Sequence, residues 1–442
     1  MSIELVTVLL FVCVLGLILL GYPIGLVLAG VATIFGLIFL GPQIFDVFTL
    51  RIFGIFSDYV LVAVPLFVFM GIVIEKSGIA MRLFDAMYVL LGRLRGGLAV
   101  ATVVTCTIFA TVTGVVGASV VTMGILALPA MLKYKYDKAL ATGSICASAT
   151  LAILIPPSIM LVVYGPIANV SVGVLFAGAF LPGFLLALLY IAYILVRCHL
   201  DPAAGPTPDR TSEPFTLPAR EKLRLFAVSV APVVLLILAV LGTIFFGLAA
   251  PTEAAALGAF FGCLLAAAYR KLNLQVLREA ALQTLRVTAM VYLLLIGAGF
   301  FTGVFMRLGC GSVVKELLLG FPLGGWGALL LMWFIIFLLG FFIDWIAVVL
   351  ITVPIFTPVA TALGFDPVWF AMMNIIVLQT SFLTPPFAFA IFMLQGVAPP
   401  EVKTGDIYRG VVPFVALQAC GILLCVLFPE IILFLPRLLG LI

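Results

Sequence analysis

The chain has 442 residues, of which 65% are hydrophobic and 9% are charged. Soluble globular domains carry about 25% charged residues, so a water-soluble enzyme is excluded, and disorder is excluded because it requires low hydrophobicity. The net charge of +4 does not indicate a nucleic-acid partner, since the basic residues lie in loops between apolar stretches. The composition predicts an all-α polytopic protein embedded in a lipid bilayer.

About ten apolar stretches are long enough to cross a membrane. The first lacks a preceding basic region and a small-residue cleavage site, so we expect it to be retained as a span. In chain order, the predicted spans cover residues 3–20, 24–40, 59–75, 138–164, 172–197, 223–247, 252–268, 283–303, 367–395 and 410–434. Segments 79–92 and 305–320 mix charged and apolar residues, which is typical of helices lying along the membrane surface.

The apolar stretch 97–132 has basic residues on both sides, Arg93 before it and Lys133 after it among them. Because basic residues mark the cytoplasmic side, both of its ends are predicted to be cytoplasmic. Small and hydroxyl residues interrupt the stretch around Thr113 and Gly114. This pattern predicts a re-entrant helical hairpin with Thr113 at its tip.

A second stretch of this kind covers 325–360 and has no Lys or Arg at either end. Its centre holds Gly340 and Asp344. We therefore predict a second re-entrant hairpin that enters the membrane from the opposite side, with Asp344 at its tip.

The only long polar stretch lies between two halves of similar size, and its prolines and charges predict a cytoplasmic linker at 198–222. The halves, 1–197 and 223–442, match at a nearly constant offset. Asp137 recurs as Asp366 (366 − 137 = 229), and Pro156 recurs as Pro385 (385 − 156 = 229). Each half contains five predicted spans, an odd number, so the second repeat is predicted to be inverted.

Each repeat also contains a broken helix, at 155–158 in the first and at 384–386 in the second. Two adjacent prolines remove two backbone donors and leave the preceding carbonyl oxygens without helical partners. In a membrane such an unwound segment lines a cavity or binds a ligand. Carbonyl and hydroxyl oxygens suit a hard cation such as Na⁺. The alternative is that each proline pair only kinks its helix.

The two hairpin tips add further oxygens, from Thr113 and Asp344. An acidic residue within an apolar run indicates a functional site, and Asp344 either binds the cation or caps the helix that follows it; these roles are compatible. Glu253 follows Pro251 at the start of an Ala-rich span, so it is predicted to cap that helix.

Candidate substrate contacts lie beside the first tip and the first break. Gly117 and Ala118 would let a ligand approach the backbone, and the hydroxyls of Ser119 and Ser158 would donate hydrogen bonds to it. The alternative for the small residues is tight helix packing. The sequence contains no phosphate-binding Gly-rich motif followed by Lys and no plausible Ser/His/Asp set. We therefore predict a transporter driven by an ion gradient, and not an enzyme.

Several motifs resemble the large membrane subunit of the TRAP transporters, the tripartite ATP-independent periplasmic family (DctM-type), over nearly the whole chain. They are Gly114-Val115-Val116-Gly117-Ala118-Ser119, Ala149–Ser158 with its proline pair, Leu175-Phe176-Ala177-Gly178, Pro251-x-Glu253, Asp344 and Thr384-Pro385-Pro386. The resemblance implies an elevator-type permease of the bacterial inner membrane that uses Na⁺ to import small carboxylates. It also implies two partners, a periplasmic substrate-binding protein and a small four-helix membrane subunit.

The resemblance places sodium ligands at Thr113, Ala152, Leu154 and Pro157 in the first repeat, and at Gly340, Asp344, Ser381, Thr384 and Phe387 in the second. Two other functions stay open at this stage. One is a stand-alone Na⁺ symporter or ion antiporter of the same build. The other is a membrane scaffold or channel subunit, which the paired breaks disfavour because a scaffold needs no free carbonyl groups.

Overall fold

A computed structural model describes residues 1–207, 217–321, 323–385 and 388–442, and these ranges contain helices and no strand. The helices of the first half are α1 (Ile3–Leu19), α2 (Ile24–Leu40), α3 (Ile44–Ser57), α4 (Ala63–Lys76), α5 (Ile79–Leu91), α6 (Gly97–Thr113), α7 (Val116–Lys133), α8 (Lys138–Thr150), α9 (Ile159–Ala168) and α10 (Val172–Leu200). Those of the second half are α11 (Ala219–Ser229), α12 (Ala231–Phe245), α13 (Pro251–Ala268), α14 (Leu274–Arg307), α15 (Cys310–Leu319), α16 (Gly324–Phe342), α17 (Trp345–Ala362), α18 (Pro367–Ser381), α19 (Phe389–Gln395), α20 (Thr404–Leu427) and α21 (Glu430–Leu438).

The lengths and the apolar composition of the helices are those of a multi-pass membrane protein. Within the described ranges, eight helices are long and apolar enough to cross a membrane, and the bent pair α11 and α12 makes up to nine. Several predicted spans are shorter helices here, since α1 and α2 have 17 residues each. The count of ten spans therefore stays a prediction.

The centre of the molecule is formed by α8 and α18, whose residues are almost all buried. The sequence of α8 allows this because it consists mainly of Ala, Ser, Thr and Gly. Small residues permit close helix contacts: a methyl group on Gly143 would lie 2.1 Å from the Gly410 carbonyl oxygen of α20. The hydroxyls of Ser144 and Ser148 donate to carbonyl oxygens of their own helix, which satisfies them in an apolar interior.

Several helices differ from the sequence-based prediction. The predicted span 223–247 is the bent pair α11 and α12, and the predicted span 410–434 is divided between α20 and α21. The helix α3 was not predicted, and α14 has 34 residues, whereas the span predicted for this region covers 283–303. Its first four turns hold Arg278 and Glu279, which precede the predicted span, and Arg286, which lies within it. The Lys76 ammonium of α4 lies 3.2 Å from the Glu279 carboxylate, so the charge of Glu279 has a partner.

The beginning of the predicted linker is packed against the protein. The backbone amide of Gly96 donates to the Gly205 carbonyl at 3.1 Å, and that of Asp137 donates to the Ala204 carbonyl at 3.0 Å. Ala204 is 3% exposed. The first residues of the predicted linker therefore pack over the loops that precede α6 and α8, and the cytoplasmic location of the linker stays a prediction. Residues 208–216 of the predicted linker lie outside the described residues.

Candidate functional site

The first break separates α8 from α9. A single 3₁₀ turn, Leu151–Ile153, follows α8, and the chain is non-helical until α9 starts at Ile159. The whole segment is buried. Within the described ranges no hydrogen bond reaches the carbonyl oxygens of Ala152, Leu154, Ile155, Pro156 and Pro157. Five buried acceptors without a partner are costly unless a ligand binds them, so three predicted sodium ligands lie in a segment that fits a cation.

One hydrogen bond closes this break. The Ser158 hydroxyl donates to the Ile153 carbonyl at 2.7 Å, and Ser158 is fully buried. Its proton is therefore used within the protein. The predicted donation from Ser158 to a substrate stays a prediction, and it would require this bond to be exchanged.

The first tip lies directly against the beginning of α9. Gly114 connects α6 to α7 with φ +62°, a conformation that favours glycine. A methyl group there would lie 3.4 Å from the Ile159 backbone nitrogen, so the tip and the half-helix after the break are in contact. On the other side, a methyl group on Gly71 of α4 would lie 2.9 Å from the Thr113 Cα. The first tip therefore packs between α4 and α9.

The hydroxyl of Thr113 lies 3.2 Å from the Phe109 carbonyl and 3.2 Å from the Ser119 hydroxyl. Ser119 lies 3.1 Å from the Val115 carbonyl and is fully buried. The Thr113 hydroxyl donates to backbone carbonyls of its own helix, so its oxygen keeps a lone pair that a cation can use. The Ser119 hydroxyl is held inside the hairpin, and its predicted contact with substrate stays untested.

The second break lies between α18 and α19. Two predicted ligands are in direct contact there, since a methyl group on Gly340 of α16 would lie 2.1 Å from the Ser381 hydroxyl oxygen. The Ser381 and Thr384 hydroxyls donate to the Leu378 and Thr380 carbonyls at 2.6 Å and 2.8 Å. Pro386 and Phe387, the latter a predicted ligand, lie outside the described residues.

Asp344 occupies the second tip, between α16 and α17. Its carboxylate accepts a hydrogen bond from the Ile346 amide at 3.1 Å, which makes it the N-cap of α17. The capping role considered for Asp344 is thus present, and the same residue lines a cavity between the two tips. The capping prediction for Glu253 is confirmed, because its carboxylate accepts from the Ala250 amide at 2.9 Å.

A central cavity of about 200 Å³ brings the two tips together. Gly117 and Asp344 line it, whereas Ser119 and Ser158 do not. Three helices begin at its wall, since Val116, Ile159 and Trp345 are the first residues of α7, α9 and α17. Helix N-termini carry partial positive charge and favour anions. The arrangement therefore suits a small anion beside the two candidate cation positions.

Two larger cavities flank the central one along α14. The Arg51 cavity, of about 410 Å³, lies between α3, α9, α14 and α17 and contains Arg51 and Asp58. The Arg286 cavity, of about 380 Å³, lies between α4, α14 and the first tip and contains Glu75 and Arg286. Two predicted site residues, Thr113 and Ala118, line the Arg286 cavity.

Sequence reasoning missed α14 as the wall that all three cavities share. Its lining residues follow one another at intervals of one, three or four positions. They are Gln283, Arg286, Val287, Met290, Val291, Leu295, Ala298, Gly299 and Thr302. That spacing places them on one face of the helix. The signal was present in the sequence, but an apolar face of this kind is indistinguishable from ordinary packing until the neighbouring helices are known.

Comparison with known proteins identifies the family. The DctM profile, described as "Tripartite ATP-independent periplasmic transporter, DctM component", matches residues 11–431. The C4-dicarboxylate TRAP transporter large permease protein DctM of Pseudomonas aeruginosa is 30% identical over 394 residues, which cover 88% of this chain and 89% of that protein. The isethionate TRAP transporter permease protein DctMQ of Oleidesulfovibrio alaskensis is 30% identical over 417 residues, covering 94% of this chain and 64% of that protein.

The fold itself is similar to that of a solved transporter. The crystal structure of YdaH from Alcanivorax borkumensis aligns with a TM-score of 0.59 and 17% identity, and it covers 88% of this chain and 87% of that one. The family profile and the curated relatives both describe permease subunits of transporters and not enzymes. The chain therefore belongs to the DctM family, the large permease components of TRAP transporters.

Proposed function

We propose that this permease imports small organic acids across the bacterial inner membrane, driven by Na⁺ and supplied by a periplasmic binding protein. The observation that carries the proposal is the row of five buried carbonyl oxygens without a partner at the first break. Na⁺ binds oxygen ligands, and an unwound segment inside a transporter is the usual place for them. The lone pairs of the Thr113 hydroxyl are a further ligand on the adjoining tip.

A second cation position at the other tip is supported by different chemistry. Gly340 and Ser381 are in contact there, Thr384 lies in the turn that follows, and Asp344 caps the next helix. Asp344 adds a formal negative charge, which the first position lacks. We infer that the two positions differ in affinity, with the second dependent on a carboxylate.

The substrate position proposed is the central cavity. Three helix N-termini and two bound cations would together hold a small anion there. The relatives are named for C4-dicarboxylate and for isethionate, which are both small organic anions. A carboxylate is the favoured substrate, and Gly117 allows its close approach to the backbone. Ala118, Ser119 and Ser158 are proposed as contacts in a state that differs from this one.

The helix contacts support two inverted repeats, 1–197 and 223–442. Helices related by the sequence offset make matching contacts. The contact between α2 and α14 in one repeat pair corresponds to the contact between α13 and α4. In the same way, the contact between α8 and α20 corresponds to the contact between α18 and α10. The Gln379 amide donates to the Thr150 hydroxyl at 3.3 Å. These two residues are 229 positions apart (379 − 150 = 229), the same offset as the proline pairs. An elevator motion would carry the hairpins and broken helices past α4 and α14.

The partners proposed are those of the family, a periplasmic binding protein and a small membrane subunit. A stand-alone Na⁺ symporter or ion antiporter of the same build is the second candidate.

The decisive experiment for coupling is uptake by the complete system in liposomes, with the binding protein and the small subunit present. We expect substrate accumulation only with an inward Na⁺ gradient. Uptake that continues unchanged when K⁺ or choline replaces Na⁺, and that responds to a pH gradient, would overturn the proposal.

A further inference from the structure

The three cavities form a line along one face of α14, from Gln283 to Thr302. The nineteen steps from residue 283 to residue 302 (302 − 283 = 19), at about 1.5 Å each, extend about 28 Å, close to the roughly 30 Å of a bilayer core. The central cavity lies in the middle of this line, and a single arginine faces the cavity at each end. These two arginines have no part in the function proposed so far.

Arg51 faces the first of the end cavities with its charge unpaired. Its side chain crosses α14, since a methyl group on Gly303 would lie 3.6 Å from the Arg51 Nε. The nearby acid Asp58 does not pair with it, because the Asp58 carboxylate accepts from the Val60 amide at 2.9 Å and caps the short helix there. Among the described residues no acceptor lies within hydrogen-bonding distance of the Arg51 guanidinium.

Arg286 repeats this situation at the other end. It shares its cavity with Glu75, yet no ion pair joins the two within the ranges that the structure describes. The neighbouring Glu279 is engaged by Lys76 at 3.2 Å, so it does not neutralise Arg286 either. Each end of the line therefore presents one free guanidinium and one acid to the same cavity, with space between them.

We propose that Arg51 and Arg286 are the anion-binding residues of two vestibules, through which the organic anion enters and leaves the central cavity. A guanidinium offers a planar pair of donors that matches a carboxylate or a sulfonate. The acid opposite it prevents the anion from being held too tightly for onward movement. This inference rests on the proposed function, since it concerns the route of the same substrate.

The alternative is that both arginines only extend their charges to water at the membrane surface. A thiol reporter in each cavity separates the two explanations. Thr302→Cys reports on the Arg51 cavity and Gln283→Cys on the Arg286 cavity, in the full chain in lipid nanodiscs. The native cysteines that are not buried, Cys13, Cys263 and Cys420, are first replaced by Ser. The rate of modification by an anionic and by a cationic methanethiosulfonate is then measured at each reporter.

The readout is the ratio of the modification rate with the anionic reagent to the rate with the cationic reagent. A change in the intrinsic reactivity of the reporter thiol affects both rates equally and leaves this ratio unchanged. The Arg51 guanidinium attracts the anionic reagent and repels the cationic one, and both effects are lost in Arg51→Gln. For charges about 6 Å apart in water, we therefore expect Arg51→Gln to lower the ratio at Thr302→Cys by about tenfold. It should leave the ratio at Gln283→Cys unchanged. Arg286→Gln should do the reverse. Millimolar succinate should protect each reporter only while its own arginine is present.

Two matched controls are arginines of α14 that line none of the three cavities, Arg307 near the Arg51 end and Arg278 near the Arg286 end. Their change to Gln should leave both ratios as in the parent. A ratio that does not respond to Arg51→Gln, or that responds equally to Arg307→Gln, overturns the proposal. A Thr302→Cys that neither reagent modifies also overturns it, since the cavity would then be closed. None of these results depends on Na⁺ coupling, so the proposed function is tested separately.

Discussion

The charge of Asp344 makes the two tips chemically different. Its counterpart at the sequence offset is Val115 (344 − 229 = 115), an apolar residue at the first tip. The Asp344 carboxylate already caps α17 through one oxygen and lines the central cavity. One side chain can therefore fix the beginning of a helix and supply charge to a cation beside it.

Asp344→Asn separates these two roles. Asn retains the shape and caps helices well, so folding and thermal stability should be close to those of the parent. Loss of the charge should raise the half-saturating Na⁺ concentration, by about tenfold if the net contribution is about 1.4 kcal/mol. The measurement is the Na⁺ dependence of initial uptake rates in the complete reconstituted system.

Asp366→Asn is the matched control. Asp366 caps α18 by accepting from the Val368 and Trp369 amides, and it lines none of the three cavities. Its Na⁺ dependence should stay at the parent value. If Asp344→Asn also gave the parent curve, Asp344 would be a helix cap and nothing more.

The break between α8 and α9 is the element on which cation binding depends. Pro156 and Pro157 have no backbone N–H, and the two helices on either side of them do not join. The unpartnered carbonyl oxygens exist only because the helix stops. A chain that could wind through this point would pair them internally.

Replacing both prolines by alanine tests this dependence. Pro156→Ala with Pro157→Ala restores two donors and favours continuation of the helix, which removes free carbonyl oxygens. We expect the half-saturating Na⁺ concentration of uptake to rise at least tenfold. A tenfold change corresponds to about 1.4 kcal/mol. Pro129→Ala, at a proline inside α7 away from the break, should keep the parent Na⁺ dependence. Equal Na⁺ dependence in the double variant and the parent would show that the break is only a kink.

How much the sequence predicts differs between these elements. The proline pairs and the acid at the second tip are local signals, so the breaks and Asp344 could be found without a structure. In contrast, the sequence does not show that α10 ends at Leu200 or that α14 is continuous over its whole length. The charged residues Arg278 and Glu279 lie before the predicted span 283–303, but their helix continues into that span without interruption.

The cavities also escaped prediction, for a physical reason. A cavity is the space left by several packed elements, and the Arg51 cavity needs α3, α9, α14 and α17 in place at once. Arg51 lies on α3, a helix that was not predicted either, so its position beside a cavity could not be found from the sequence.

At the scale of the whole molecule, the chain has no described element that could capture a ligand away from the membrane. Its helices pack into one apolar body with the central cavity inside. The large permeases of TRAP transporters work with a periplasmic binding protein and a small membrane subunit.

We therefore predict that uptake depends on the partners. In liposomes with an inward Na⁺ gradient, the chain with its small subunit should transport free substrate at least tenfold more slowly than the system with binding protein added. The same preparations with added binding protein serve as the positive control. Fast uptake of free substrate by this chain alone would favour the stand-alone symporter instead.

The lengths of the helices have a consequence for the lipid around the protein. The 17 residues of α1 and of α2 extend about 26 Å, and the 34 residues of α14 extend about 51 Å. Because α2 packs directly against α14, helices of very different length share one boundary with a bilayer core of about 30 Å. Thinner lipid beside the short helices, and tilt or projection of the long helix, would accommodate this difference in length. Membrane thickness is therefore part of the environment to which this transporter is adapted.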